Sequence, residues 1–285
     1  MRKRIIYLVI AIFCLCSCKT IDLSKAIDIT STVIQETSKA SRPISDEEEY
    51  YIGRAVCARL FQSYPLFENS RLTTYINLIG KTLAFHSEKP FIFGDYHFAV
   101  LDTNEINAFA CPGGIILITR GMIKLAKDED ELAAILAHEI AHINHRDSID
   151  SIKQSRWTEA LSIIGKKSAE QYGSEELVKL VNIFEASIED IIKTLVVNGY
   201  SRTQEYAADE KALIYLAKAG YNAEALIRVL EKLSSFERIS KKGFIRTHPD
   251  NEDRINNIKD KIPQSNIDTK AFQKRTARFK SFINK

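Results

Sequence analysis

Apolar positions along the chain follow a helical period in most places and a strand period in one short region. Leu72, Ile76, Ile79 and Leu83 stand three or four residues apart, on one face of a helix predicted for residues 71–85. Before it, Ser45-Asp46-Glu47-Glu48 offers a capping residue and acids for a first turn, so a helix is expected from there to about Leu60. Residues 96–101 read as a strand, residues 107–110 as a short extended piece, Cys111-Pro112-Gly113-Gly114 as a turn, and residues 115–119 as a second strand. These suggest a small antiparallel sheet. Four acids at 128–131 then open a helix that should run to about Asp147, placed where carboxylates suit the helix dipole. Residues 149–198 look helical, with breaks near Gly165 and Gly173. Further helices are expected over 201–218, stopping at Gly220, and over 223–233. After Asn251 the chain turns polar and should form a helix, then a frayed end. The fold class is α+β, mainly helical.

The N-terminus has a different pattern. Arg2, Lys3 and Arg4 precede an apolar run from Ile5 to Leu15 that is short for a membrane span and fits a secretory signal. Leu15-Cys16-Ser17-Cys18 resembles a bacterial lipobox, with Cys18 as the residue that is acylated and becomes the first of the mature chain. The organisation expected is a lipoprotein signal at 1–17, a Ser/Thr/Lys-rich tether at 18–42, a folded domain at 43–260 and a polar tail at 261–285. The domain should lie on the periplasmic side of the envelope, held by lipid on Cys18. Lys19 in place of Asp permits outer-membrane sorting by analogy.

Composition narrows the function. Hydrophobic content of 45% and charged content of 27% are those of a globular protein. The net charge of +3 equals the three basic residues of the signal. No basic run with interleaved aromatics occurs elsewhere, so nucleic acid is excluded as a partner. Of five cysteines, only Cys57 and Cys111 fall in the domain. An oxidising compartment would permit a bridge between them, but the reading preferred is two small buried hydrophobes.

Three of the six histidines sit in one stretch, LAHEIAHINH at 136–145. On a helix His138 and His142 share a face about 6 Å apart along the axis, so one Zn²⁺ can lie between them. Glu139 projects beside the pair, where it can reach a bound water. This is the H-E-x-x-H arrangement of metallohydrolases. His145 lies about 10 Å beyond His138 along the axis and is read as a helix-end residue, partly protonated, rather than a ligand. A third ligand must come from elsewhere. Glu205 is the candidate, near the start of a helix whose apolar neighbours look well packed. Asp209, one turn on, can hold the other N–H of a ligand histidine. The alternative for both acids is a solvated helix face. Two histidines and a glutamate near a free position favour a catalytic metal over a structural one, which usually has four protein ligands.

These pieces occur in one order: ISDEEEYYIGRAV, NEINAFACPGGIILITRGMI, ELAAILAHEIAHINHRD, YSRTQEYAADEKALIYLAKAGY and THPDNEDRI. In that order the chain resembles the bacterial zinc metallopeptidases of the HtpX, LoiP and BepA type, relatives of the CAAX-processing and Oma-type mitochondrial proteases, over roughly residues 43–257. The resemblance implies a zincin-like metalloprotease domain holding one Zn²⁺, with Glu205 as third ligand. Because the chain ends soon after THPD and has only the signal as an apolar span, it looks most like the short LoiP-like lipoprotein branch. Asp147 stands where the family often carries histidine.

The activity expected is zinc-dependent cleavage of unfolded or misassembled envelope proteins, with Glu139 as general base and then acid. Residues 104–110 could offer an exposed edge to an extended substrate, with Asn107 orienting it by resemblance only and Ala108, Phe109 and Ala110 pairing with its backbone. His248, in the shared His-Pro of THPD, has three readings: an oxyanion partner, a fourth zinc ligand that keeps the enzyme latent, or a loop residue without a role. Arg202 and Arg254 are expected to pair with acids near the site or to contact substrate. The rival function is a zinc-containing, chaperone-like binding module that cuts rarely; it should tolerate loss of Glu139, and a hydrolase should not.

Overall fold

The computed structural model describes residues 43–152, 156, 159, 174–237, 243–263 and 268–283. The expected signal, Cys18, the expected tether and the expected breaks near Gly165 and Gly173 lie outside the described residues. Helix α1 (Asp46–Leu60) starts at Ser45 with a reciprocal cap to Glu48, as its sequence predicts. Helix α2 (Ser70–Phe85) follows, capped by Asn69. The strands are β1 (His97–Leu101), β2 (Ala108–Cys111) and β3 (Ile115–Thr119).

The sheet is mixed, not antiparallel. Its order is β1-β3-β2, with β3 parallel to β1 and antiparallel to β2. Strand direction does alternate along the chain, as short connections require. However, β3 inserts between the first two strands and so meets β1 in parallel. Its composition suits that central place: Ile116, Leu117 and Ile118 are all buried, as expected of a strand covered on both faces. Alternate residues feed two apolar clusters. Phe98, Val100, Ala108, Ala110, Ile116 and Ile118 face one, while Leu101, Phe109, Cys111 and Leu117 face the other.

Short helix α3 (Arg120–Leu125) leads into α4 (Glu129–His145), which is buried at every position from Glu129 to Asn144. A helix buried all round is the centre of its domain. Arg146, at φ 63°, ends α4 in a left-handed cap and turns the chain into α5 (Asp147–Asp150). Helix α6 (Ser174–Lys193) and a π-turn at Thr194–Asn198 pack on the α1 side of the sheet. Helices α7 (Arg202–Lys218) and α8 (Ala225–Glu237) lie along α4. A short turn α9 (Phe244–Thr247), helix α10 (Asn251–Ile258) and helix α11 (Thr269–Ile283) complete the order.

The expected frayed tail instead contributes α11 to the core. Phe279 is buried, and Phe282 stacks on Tyr75 of α2 with ring centroids 4.2 Å apart. Arg275 bonds Asp130 at 2.6 Å, and Arg278 pairs with Glu129. Glu129, Asp130 and Glu131 are therefore more than dipole partners. They are buried carboxylates, Glu131 being matched by Arg228 and Lys232 of α8. The polarity that made the tail look solvated is the complement of two acids, Glu129 and Asp130, at the head of the central helix.

Candidate metal centre

Helix α4 presents His138 and His142 on one face, their Nε2 atoms 3.1 Å apart. Helix α7 brings Glu205 and Asp209 against them. Buried alanines at 134, 137 and 141 of α4 and at 208 and 212 of α7 keep both helix surfaces low, which allows close approach. Glu205 Oε1 lies 3.5 Å from His142 Nε2, and Glu205 Oε2 lies 3.5 Å from His138 Nε2. His248 completes the group, with its Nδ1 2.8 Å from Glu205 Oε1 and 3.3 Å from His138 Nε2. Four donor atoms, from His138, His142, Glu205 and His248, thus lie within 4.8 Å of one another, all buried.

The loop carrying His248 is braced on both sides. Phe244 N donates to Ile106 O at 2.9 Å, and Tyr200 N donates to Thr247 O at 3.0 Å. Gly199 has φ +75°, and a Cβ there would stand 2.4 Å from Thr247 O, so only glycine permits this approach. His248 stacks on Phe244 at 3.9 Å, and His142 stacks on Tyr200 at 4.1 Å.

Behind the donors sits a layer of carboxylates. Asp209 Oδ1 lies 2.9 Å from His138 Nδ1 and is bonded by Arg254 at 2.7 Å. Arg254, fully buried, also reaches Glu205 at 3.0 Å. Asp147 Oδ2 accepts from His142 Nδ1 at 2.7 Å, and Gln204 Nε2 donates to the other Asp147 oxygen at 3.1 Å. Each histidine that holds a proton on Nδ1 has its Nε2 lone pair turned toward the cluster.

The residues fit a zinc ion. The donor set of imidazole nitrogens and one carboxylate is zinc chemistry. Both oxygens of Glu139 are buried with no hydrogen-bond partner among the described residues. Glu139, Asp147, Glu205 and Asp209 outnumber the single guanidinium of Arg254, a negative excess that a buried divalent cation would offset. The same excess shows in the titration. Burial works against a charged His142, yet Asp147 and Glu205 outweigh it and push its pKa up to about 10. Burial also works against a charged Glu205, but His248 and Arg254 hold its carboxyl well below the usual range.

The Peptidase family M48 model matches residues 70–262. The chain belongs to this family. Its M48 relatives include the beta-barrel assembly-enhancing protease of Escherichia coli K12, 26% identical over 246 residues, covering 83% of this chain and 48% of the relative. They also include the mitochondrial metalloendopeptidase OMA1 of Schizosaccharomyces pombe, 28% identical over 163 residues, covering 56% of this chain and 45% of that protein. A protease HtpX homolog of Acidiphilium cryptum is 32% identical over 141 residues, covering 46% and 49%. The chain spans about half the length of the curated relatives it matches. For this M48 chain, His138, His142, Glu205 and His248 form the candidate zinc site.

Other expected residues fall in different places. His145 stays outside the cluster, and burial lowers its pKa against the pull of Asp147. Arg254 pairs with the site's acids, whereas Arg202 pairs on the surface with Asp250 and Asp253. The edge expected to be exposed is covered. Asn107, Ala108, Phe109 and Ala110 are each 1% exposed. Asn107 Nδ2 donates to Glu105, and Ala110 O accepts from Ser148 Oγ at 2.7 Å. Ser148 of α5 and Phe244 of the 243–248 loop bond the carbonyls of Ala110 and Ile106 in this segment. The functional residue that pattern reading missed is Asp147. It lies beyond the helix that carries the histidines, and only the left-handed turn at Arg146 brings it back beneath His142. Nothing in an arginine codon position signals such a turn.

Proposed function

We propose that this chain is a zinc-dependent endopeptidase of the bacterial cell envelope, acting on unfolded or misassembled envelope proteins. The observation that carries the reading is Glu139, buried and without a hydrogen-bond partner among the described residues, beside three histidines and Glu205 whose donor atoms converge. Zinc held by His138, His142 and Glu205 would supply Lewis acidity for peptide hydrolysis. Glu139 takes a proton from the attacking water and delivers it to the leaving amine. Its exclusion from bulk water and from other partners leaves it free for that transfer. Asp147 and Asp209 keep His142 and His138 in the tautomer that offers Nε2.

His248 occupies the remaining donor position, and the edge strand is covered. Both support the latent reading of this residue over the oxyanion reading. Substrate would then enter only after the 243–248 loop swings away. The sequence from Arg2 to Cys18 supports a lipid anchor at Cys18, in the manner of the LoiP-like branch, and outer-membrane placement. None of the described helices is long and apolar enough to cross a membrane.

The test is cleavage of unfolded casein by the full chain in detergent, beside Glu139→Gln, with and without added zinc and a chelator. Cutting by the wild type alone, stopped by the chelator, is the expected result. If neither cuts with zinc bound in both, His248→Ala separates latency, which that change relieves, from the chaperone-like binding module, which stays inactive.

A further inference from the structure

Cys57 of α1 and Cys111 at the end of β2 are free and buried, and the metal centre uses neither. Their placement follows from backbone packing. Glu49, Gly53 and Cys57 are spaced one helical turn apart on a single face of α1. Glu49 Oε1 accepts from Gly113 N at 3.2 Å. A Cβ on Gly53 would lie 1.9 Å from Pro112 O, so the helix rests directly on the turn after β2. Continuing this run, the next helical position is Cys57 and the next residue of the turn is Cys111. Both residues are buried in the same apolar cluster. The sequence permitted a bridge between them but favoured two small buried hydrophobes; both are buried, and α1 docks the two segments that carry them against each other.

We propose that Cys57 and Cys111 are a disulfide pair that closes as the chain folds in an oxidising compartment, stapling α1 to the strand beside the metal centre. Its closure in the cell rests on the envelope placement proposed above. The oxidant is an external disulfide of the thiol–disulfide exchange class. The Cys57 thiolate attacks one of its sulfurs and releases a first thiolate. The Cys111 thiolate then attacks the Cys57 sulfur of the mixed disulfide and releases the second. Two electrons pass from the cysteines to the oxidant, and the two thiol protons end on its released sulfurs. Burial pushes the Cys111 thiol up and shields both residues, so exchange belongs to the folding chain and is blocked once α1 has docked.

The full chain is isolated from cell envelopes, its free thiols are alkylated under denaturing conditions without reductant, and it is digested with trypsin. The expected product joins residues 55–59 to residues 82–120, the fragments bounded by Arg54, Arg59, Lys81 and Arg120, with two hydrogens lost. A second sample is denatured, reduced and refolded in a mixture of oxidised and reduced glutathione. The same linkage should form there, and a parallel sample refolded in excess reductant should melt roughly 10 °C lower for a loop of this size. Cys57→Ala should show no reductant-dependent shift. Alkylation of both cysteines after refolding overturns the proposal, as does a Tm that ignores reductant in the wild type. Linkage on refolding with free thiols in the envelope sample upholds the pair and overturns the compartment instead. None of these readouts depends on proteolysis, so they stand apart from the activity test.

Discussion

Replacing Asp147 by alanine should weaken zinc binding while leaving the fold largely intact. Replacing Asp209 should harm both. Asp147 is buried and accepts from His142 Nδ1 at 2.7 Å, with Gln204 as its only other hydrogen-bonding partner among the described residues. Without it, the Nδ1–H of a buried ring has nothing to bond, and the ring loses the contact that sets its tautomer. Losing such an outer partner typically costs 10- to 100-fold in metal affinity, or about 1.4–2.7 kcal/mol. The stacking of Tyr200 on the His142 ring still restrains its plane, which places Asp147→Ala near the tenfold end. Asp209 differs because Arg254 bonds both its oxygens, at 2.7 and 2.8 Å. Its removal strips a fully buried guanidinium of its main partner, leaving Glu205 at 3.0 Å and longer contacts to the His248 carbonyl and the His138 ring. Breaking a buried pair from one side costs about 3–5 kcal/mol, and the surviving Glu205 contact points to the lower figure. Zinc affinity is measured on metal-stripped protein by competition with a chelating dye, and stability by urea unfolding of the same samples. Zinc affinity of Asp147→Ala within threefold of wild type would refute the positioning role. So would an Asp209→Ala protein no less stable than Asp147→Ala.

Arg275→Ala should destabilise the protein by about 3 kcal/mol, moving its urea midpoint down by roughly 1 M, because buried Asp130 keeps only the Asn222 N–H among the described residues. A shift no larger than that of Arg120→Ala, whose pair with Asp102 is partly exposed, would show that α11 is not part of the core. Glu139→Gln should retain zinc affinity and lose about 10²–10⁴-fold in casein turnover. His248→Ala should raise turnover if that residue holds the closed state; a fall in kcat would return it to the oxyanion role. Zinc at about a thousandfold over its Kd should stabilise the stripped protein by about 4 kcal/mol, read as a rise in Tm that EDTA reverses.

Local chemistry in the sequence determined much of this protein. Helical spacing places His138, Glu139 and His142 without reference to anything distant, since the backbone period alone sets which residues share a face. The cap at Ser45 and the turn at Pro112-Gly113-Gly114 are likewise local, and each sits where the pattern puts it. Glu205 and Asp209 could be proposed because they too are one turn apart on a well-packed helix. Tertiary structure decided the rest. The order β1-β3-β2 depends on which strand fills the centre, which strand periodicity does not encode. Arg275 and Arg278 read as surface charge until α11 meets acids some 145 residues away. Asp147 and His248 act through side chains brought in by a left-handed turn and a braced loop, and the covering of β2 is a property of the packed whole. Interactions within one helical turn follow from the chain's own geometry. Contacts between distant segments depend on the whole packing energy, and the identity of a single residue does not reveal its partner.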